Sequence, residues 1–113
     1  MAGAPKRISG PAYMANVAAN IYTPPSPLIY IMIRQIHIAN VTAAGVTFSL
    51  YVGATGGSVG GTELEKNYAI GANGDWDKFF QPGLKMLSTD FLSGLGSAAN
   101  ALVITVMGEQ YVV

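Results

Sequence analysis

The sequence contains no cysteine. Thiolate zinc sites, thiol nucleophiles and disulfide scaffolds are therefore excluded, because each of them requires cysteine sulfur. Histidine is almost absent as well, since His37 is the only one in 113 residues. One imidazole without any thiolate provides too few ligands for an ordinary zinc site. We therefore expect neither a metal nor another cofactor.

Charge is also scarce, because six basic and six acidic side chains make up only 11% of the chain. About 25% is usual for a soluble domain, and half of the residues here are hydrophobic. Exposed apolar surface invites association, so we expect an assembled protein whose surface is partly covered by partners. The balance is not basic enough for a nucleic-acid-binding surface. The longest apolar run is shorter than the roughly 20 residues of a membrane helix, so we expect no membrane contact.

The few charges are segregated by sign along the chain. Residues 1–62 contain three cations and no acid, whereas residues 63–113 contain six acids and three cations. The two parts therefore carry net charges of +3 and −3, and such opposite ends can meet head to tail between copies. The alternative is that these charges are simply solvated.

Residues 1–27 contain five of the six prolines, which forbid a long helix and favour an extended chain. We predict that this segment is an extended N-terminal arm that docks on a neighbouring subunit. The alternative is that it docks on its own domain. The side chains of the arm that we predict to contact a neighbour are Lys6, Arg7, Tyr13, Met14 and Tyr22.

Residues 28–40 form the longest apolar run and are rich in isoleucine. Branched side chains disfavour a helix and suit a buried strand, so we predict the central core strand of an all-β domain here. The alternation changes parity near Arg34, which indicates either that both faces are buried or that a bulge shifts the register. Residues 46–53 alternate cleanly, and we predict that they form a hairpin with the preceding strand.

Further strand-like segments occupy residues 62–70, 84–87, 91–92 and 101–107. Asn73-Gly74 is a strong hairpin signal, residues 81–83 predict a turn, and residues 93–100 predict a loop. The total is seven or eight short antiparallel strands with glycine-rich turns and no helical periodicity. This pattern is typical of a single β-sandwich of jelly-roll type, which we assign to residues 28–113.

The first half of a calcium loop is present at Asn73, Asp75 and Asp77. The pattern then fails, because Lys78 stands where the loop requires glycine and Leu84 replaces the closing glutamate. We therefore expect no calcium site.

An aromatic cluster is formed by Trp76, Phe79 and Phe80. Such a cluster serves either for packing, within the domain or against a neighbour, or as a platform on which sugars stack. We favour packing, and predict these three residues as interface anchors. In the alternative, Trp76 and Tyr51 bind carbohydrate.

Nothing in the sequence supports an enzyme. His37 lies in an apolar strand without an identifiable partner, so we expect a packing role. Glu63 and Glu65 lie on the same face of a strand, but no second, distant acid indicates a glycosidase. We therefore expect no catalytic residue.

Several short motifs follow one another along residues 28–108. An isoleucine-rich strand ends in Ile-His-Ile-Ala-Asn at 36–40, and Val-Thr-Phe-Ser-Leu-Tyr-Val-Gly follows at 46–53. The remaining motifs are Gly-Thr-Glu-Leu at 61–64, Pro-Gly-Leu at 82–84, Met-Leu-Ser-Thr-Asp-Phe-Leu at 86–92 and Asn-Ala-Leu-Val-Ile-Thr-Val-Met-Gly at 100–108. This order is similar to that of small β-sandwich virion proteins of tailed bacteriophages, of the head decoration or cement type or the neck and tail accessory type.

The resemblance implies a non-enzymatic structural protein of a bacteriophage virion, and we favour a capsid decoration or cement protein that binds the particle through its N-terminal arm. Its partners would be other copies of itself, in a homo-oligomer, and the major capsid or other virion proteins. We expect synthesis in the host cytoplasm, because Gly10, Pro11 and Asn16 interrupt any signal peptide after the first cations. The alternatives are a neck, tail or fibre accessory protein and the carbohydrate-binding module that uses Trp76.

Overall fold

The computed structural model describes residues 4–55, 57 and 60–112, and their regular structure consists of β-strands. These ranges contain no helix, and therefore none that is long and apolar enough to cross a membrane. The strands are β1 (Ala4–Tyr13), β2 (Ala19–Tyr22), β3 (Ile29–Asn40), β4 (Val46–Gly53), β5 (Glu63–Ile70), β6 (Asp75–Met86), β7 (Phe91–Gly96) and β8 (Leu102–Val112).

The eight strands form two antiparallel sheets of four strands each. The first sheet has the order β1-β8-β3-β6, and the second sheet has the order β2-β7-β4-β5. Every connection crosses from one sheet to the other, except the one between β4 and β5, which pair directly. Eight strands arranged in this way form a jelly roll. The prediction of an all-β, jelly-roll-like sandwich is confirmed.

The two sheets enclose one hydrophobic core. On β3, the side chains of Ile31, Ile33, Ile36 and Ile38 all reach it and are fully buried. The largest buried side chain, Phe48, comes from β4 in the second sheet. Burial of one such side chain contributes about 1.5–3 kcal/mol. Because β3 is also paired on both edges, the prediction of a central core strand at residues 28–40 is confirmed.

A bulge at Arg34 allows both halves of β3 to face the core. The register shifts between Ile33 and Gln35 against β6 and against β8. Gly108 lies opposite Ile33 on β8, and a Cβ atom there would be 2.2 Å from the Met32 carbonyl oxygen. Glycine is therefore required for this close approach of the two backbones. Of the two interpretations of the parity change, the bulge is confirmed.

The two predicted hairpins are wrong in this fold. β3 and β4 lie in different sheets, and so do β5 and β6 on either side of Asn73-Gly74. The reason is that both edges of β3 are already hydrogen-bonded, to β8 and to β6, which leaves no edge for β4. The turns at residues 41–45 and 71–74 therefore carry the chain from one sheet to the other.

Residues 81–83 and 93–96 are strand, although the sequence predicts a turn and a loop. β6 continues through Pro82 because it is an edge strand, where a missing N–H group costs no ladder hydrogen bond. Gly94 in β7 permits close packing against β4, since a Cβ atom there would be 2.6 Å from the Ser49 carbonyl oxygen. The small residues of β7 therefore indicate that two strands approach each other closely, and not a loop.

The expected N-terminal arm is not confirmed, because the described residues up to 27 contribute to both sheets. β1 pairs with β8 at the edge of the first sheet, and β2 pairs with β7 at the edge of the second. Edge strands tolerate proline, since one of their sides has no hydrogen-bonded neighbour. Ile8 and Met14 are buried in the core. The first three residues of the expected arm lie outside the described residues.

Asn40 is a buried polar side chain, 2% exposed, at the end of β3. Its amide nitrogen lies 2.7 Å from the Ala44 carbonyl oxygen and 3.1 Å from each of the carbonyl oxygens of Ile70 and Gly71. Its amide oxygen accepts hydrogen bonds from the N–H and hydroxyl groups of Thr42, at 3.0 and 2.7 Å. One side chain thus joins the β3–β4 turn to the β5–β6 turn.

Replacement of Asn40 by alanine should lower the free energy of unfolding by roughly 2–4 kcal/mol, because several carbonyl groups lose their donor at once. Urea unfolding should show a lower midpoint with an unchanged slope. The matched control is Asn20→Ala on the exposed side of β2, which should change the free energy by less than about 0.5 kcal/mol. Equal effects of the two substitutions would contradict the role assigned to Asn40.

Candidate functional site

The outer face of the first sheet is formed by the side chains that alternate with the core-facing ones. Strand pairing places them in rows across the sheet, and one row from β1 to β6 consists of Arg7, Met107, Gln35 and Phe79. Phe79 is 68% exposed and Met107 is 40% exposed. Tyr13, at the end of β1, is 57% exposed. This face therefore presents large apolar side chains to solvent.

Part of the outer face of the second sheet is covered by the chain itself. Ser49 and Tyr51 alternate with core-facing residues of β4, yet Tyr51 is only 6% exposed. Ser93, which pairs with Tyr51, is fully buried. Its hydroxyl donates to the Gly57 carbonyl oxygen at 2.9 Å, so the β4–β5 connection reaches across this face. Of the two outer faces, the first sheet therefore has the more open one.

The edge strands of both sheets are protected against pairing with another chain. β1 contains Pro11 and β6 contains Pro82. β2 is only four residues long, and β5 is irregular, with Asn67 at a φ of 50°. Proline, short length and irregularity are the features that blunt sheet edges. A partner is therefore expected to contact a face rather than to extend a sheet.

One end of the outer face is occupied by contacts within the chain. Arg34 forms an ion pair with Glu109 at 2.7 Å, and hydrogen bonding to Glu109 raises the pKa of Arg34. The rings of Tyr30 and Tyr111 are stacked, with centroids 4.8 Å apart and planes at 4°. The Lys85 ammonium lies 4.5 Å from the Tyr30 ring centroid. At this end of the face, the charged groups and aromatic rings already have partners within the chain. The exposed ring of Phe79 lies outside this group of contacts.

A second group of polar residues lies on the same face, where β3 pairs with β6. His37 is opposite Asp77, and its Nδ1 atom is 2.7 Å from Asp77 Oδ1. The Gln35 side-chain amide donates to the same oxygen at 2.9 Å. Hydrogen bonds from His37 and then Gln35 lower the pKa of Asp77. Together with Asp75, the cluster offers three metal-ligating atoms within 4.8 Å of one another.

The sequence gives no signal for this cluster, because 40 residues separate His37 from Asp77. The pattern around Asp75 and Asp77 indicates a failed calcium loop, and His37 lacks an evident partner. Only the register between β3 and β6 brings the three side chains together. A correct prediction of that pairing would have found the cluster.

The side chains predicted to form an interface divide into two groups. Those on the exterior are Lys6, Arg7, Tyr13 and Phe79. Those that pack in or against the core are Met14, Tyr22, Trp76 and Phe80. Burial also raises the pKa of Tyr22. The exterior group offers the larger surface to a partner, and the interface role stays a prediction.

Trp76 packs edge-on against the core residue Phe48, with ring centroids 4.8 Å apart and planes at 63°. Tyr68 also lies beside Trp76, at 6.2 Å between ring centroids, and its ring is 5.9 Å from that of Phe48. Tyr51, the other candidate for sugar stacking, is buried and belongs to the second sheet. The two rings are therefore not presented together as a platform, and the packing interpretation is favoured.

A small cavity of about 110 Å³ opens between β4, β5 and β7. Its lining residues are Thr47, Phe48, Ser49, Asn67, Leu95, Gly96 and Ser97. Sites for drug-sized ligands occupy about 300–1,000 Å³. The cavity is therefore too small to hold a substrate of that size.

Comparison with known proteins shows the fold but no family. No family model matches the chain, and no curated protein matches it. A solved structure of Bacillus endospore appendages, described as a family of disulfide-linked pili, has 21% identity and a TM-score of 0.51, and covers 98% of this chain and 88% of that one. The Tobacco streak virus coat protein has 13% identity and a TM-score of 0.47, with coverage of 98% and 85%, and is too distant to support an inference. Neither is a bacteriophage protein.

Two aromatic residues of β6, Trp76 and Phe79, should respond differently to truncation. Trp76→Ala should lower the free energy of unfolding by about 2–4 kcal/mol, because it leaves a space beside Phe48. Phe79→Ala is the matched control, since its ring is 68% exposed, and should cost less than about 0.5 kcal/mol. Thermal and urea unfolding would measure both. An unchanged stability in Trp76→Ala would contradict the packing role.

Proposed function

We propose that this chain is a non-enzymatic structural subunit that self-associates within an assembled particle. The observation that carries the proposal is the open outer face of the first sheet, on which Tyr13, Met107 and Phe79 are 40–68% exposed. Large exposed apolar side chains that share one face are typical of protein contact sites. The blunted edges and the partly covered second sheet favour association through this face.

The fold agrees with this proposal. The endospore appendage structure, which has a similar fold, is described as a pilus. That protein is described as disulfide-linked, whereas this chain has no cysteine. Its copies would therefore associate without covalent links, through apolar and polar contacts. The low charge of the chain, 11%, favours such contacts because little desolvation of ions is required.

More specifically, we propose a bacteriophage virion as the particle, with this chain as a capsid decoration or cement protein. This assignment depends on the motif resemblance along residues 28–108. Many weak copies on a symmetric particle reinforce one another by multivalency, so each contact can be modest. Detection of the chain in purified phage particles by mass spectrometry tests the assignment, and consistent absence from them contradicts it.

The cross-strand row indicates how two copies fit together. A two-fold axis parallel to the strands, between β8 and β3, superposes β1 of one protomer on β6 of its partner. Arg7 of each copy then lies over Phe79 of the other, twice in the same contact, as isologous symmetry requires. A guanidinium over an aromatic ring is attractive. Met107 and Gln35 occupy the centre of the contact.

The test is the solution mass of the tag-free protein over a wide concentration range, by light scattering. Phe79→Ser should weaken association by about 30-fold or more, since loss of an aromatic anchor costs about 2 kcal/mol and tenfold corresponds to about 1.4 kcal/mol. Arg7→Ala should weaken it less. Val17→Ser is the control, because Val17 is 65% exposed but lies in the β1–β2 connection.

Two outcomes would contradict the proposal, and they differ in meaning. A wild-type protein that stays monomeric at every concentration contradicts self-association itself. Association that is weakened equally by Val17→Ser and Phe79→Ser contradicts the assignment to the outer face of the first sheet.

A further inference from the structure

We propose that His37, Asp75 and Asp77 bind one divalent transition-metal ion of the zinc type on the outer face of the first sheet. One imidazole nitrogen and two carboxylate oxygens form a donor set that suits Zn²⁺, Co²⁺ and Ni²⁺. Ca²⁺ is a poorer match, because it takes six to eight oxygen ligands and does not favour imidazole. Zinc accepts carboxylates as well as thiolates and imidazoles, so the lack of cysteine does not exclude it.

The backbone holds the three side chains on two hydrogen-bonded strands. His37 pairs directly with Asp77, and Asp75 is two residues away on β6, on the same face. The residue opposite Asp75 is Ala39, a small side chain that leaves room beside the carboxylate. Sites on paired strands are held more precisely than sites on loops. The backbone positions of the three ligands are therefore fixed by the pairing of the strands.

The distances require only side-chain rotation to accommodate a metal ion. Ligand atoms at 2.0–2.1 Å from a tetrahedral zinc ion are roughly 3.3 Å apart. The imidazole nitrogen of His37 and the carboxylate oxygen of Asp77 are 2.7 Å apart, and all three ligand atoms lie within 4.8 Å of one another. The His37 and Asp77 side chains are 36% and 34% exposed. A metal ion can therefore enter from solvent, and water can complete its coordination.

The electrostatics of the cluster also favour a cation. Asp75 and Asp77 lie two positions apart, and among the described ion pairs the only partner of Asp77 is His37, while Asp75 has none. A divalent ion would neutralise both carboxylates at once. The Gln35 amide donates a hydrogen bond to Asp77. Hydrogen bonds of this kind, from residues that do not themselves bind the metal, orient metal-ligating carboxylates.

The chain contains two unique reporters for an experiment. His37 is the only histidine and Trp76 is the only tryptophan, and Trp76 lies between Asp75 and Asp77 in the sequence. In tag-free protein, Co²⁺ should quench Trp76 fluorescence saturably with one ion per chain, and Zn²⁺ should reverse the quenching. The NMR signals of the His37 imidazole should shift with the same midpoint. Both titrations use concentrations at which the protein is monomeric, so their outcome is independent of self-association.

Substitutions then identify the ligands. Loss of an outer partner lowers metal affinity by about 10- to 100-fold. His37→Ala and Asp75→Asn remove ligands themselves, so each should lower the affinity for Co²⁺ by at least that factor. Gln35→Ala should lower it by about 10- to 100-fold and keep the stoichiometry. Glu65→Gln is the control, because it removes an acid from β5 outside the cluster, and should leave the affinity unchanged.

The proposal is overturned if Co²⁺ gives no saturable quenching of Trp76, or if His37→Ala binds as tightly as the wild type. The second result would show an adventitious ion only. Urea unfolding checks that each variant is folded. If a variant unfolds, the Trp76 fluorescence and His37 NMR signals of the wild-type protein still test for metal binding, because they require no substitution.

Discussion

The buried side-chain amide of Asn40 holds together the corner on which both sheets depend. It binds the turn that leads from β3 to β4 and the carbonyl groups where β5 ends. Backbone hydrogen bonds from Asn40 to Gly74 and from Asn73 to Thr42 join the same two turns. Because each of these turns crosses between the sheets, their mutual position sets how the sheets are stacked. The isoleucines of β3 fill the core between the two stacked sheets.

The two outer faces of the jelly roll are covered to different extents by other parts of the chain. The β4–β5 connection covers part of the second sheet, so polar residues such as Ser93 are buried there. In the described part of the chain, no connection covers the row that ends at Phe79, whose ring is 68% exposed. The same face carries the His37 cluster, where sheet pairing and not sequence proximity collects the ligands. The open face therefore holds both features proposed to have a function.

The strands could be predicted from sequence, because alternation and branched side chains depend on local burial. The parity change at Arg34 left burial of both faces and a bulge as alternatives, and the register shift decides for the bulge. The topology could not be predicted, since Asn73-Gly74 is equally suited to a hairpin and to a turn between sheets, and the occupied edges of β3 decide between them. Edge strands that contain proline have the same sequence features as an extended arm, and only the topology distinguishes the two. The contact between His37 and Asp77 depends on that topology, so the candidate metal cluster was missed.

We infer that copies of this chain meet at the open face of the first sheet. Hydroxyl-radical footprinting of the wild-type protein at rising concentration tests it directly, because solvent access of each side chain is measured without any substitution. We expect Tyr13, Met107 and Phe79 to become protected together while Val17 stays reactive. Protection of Val17 without protection of Phe79 and Met107, or no protection of any residue, would contradict it.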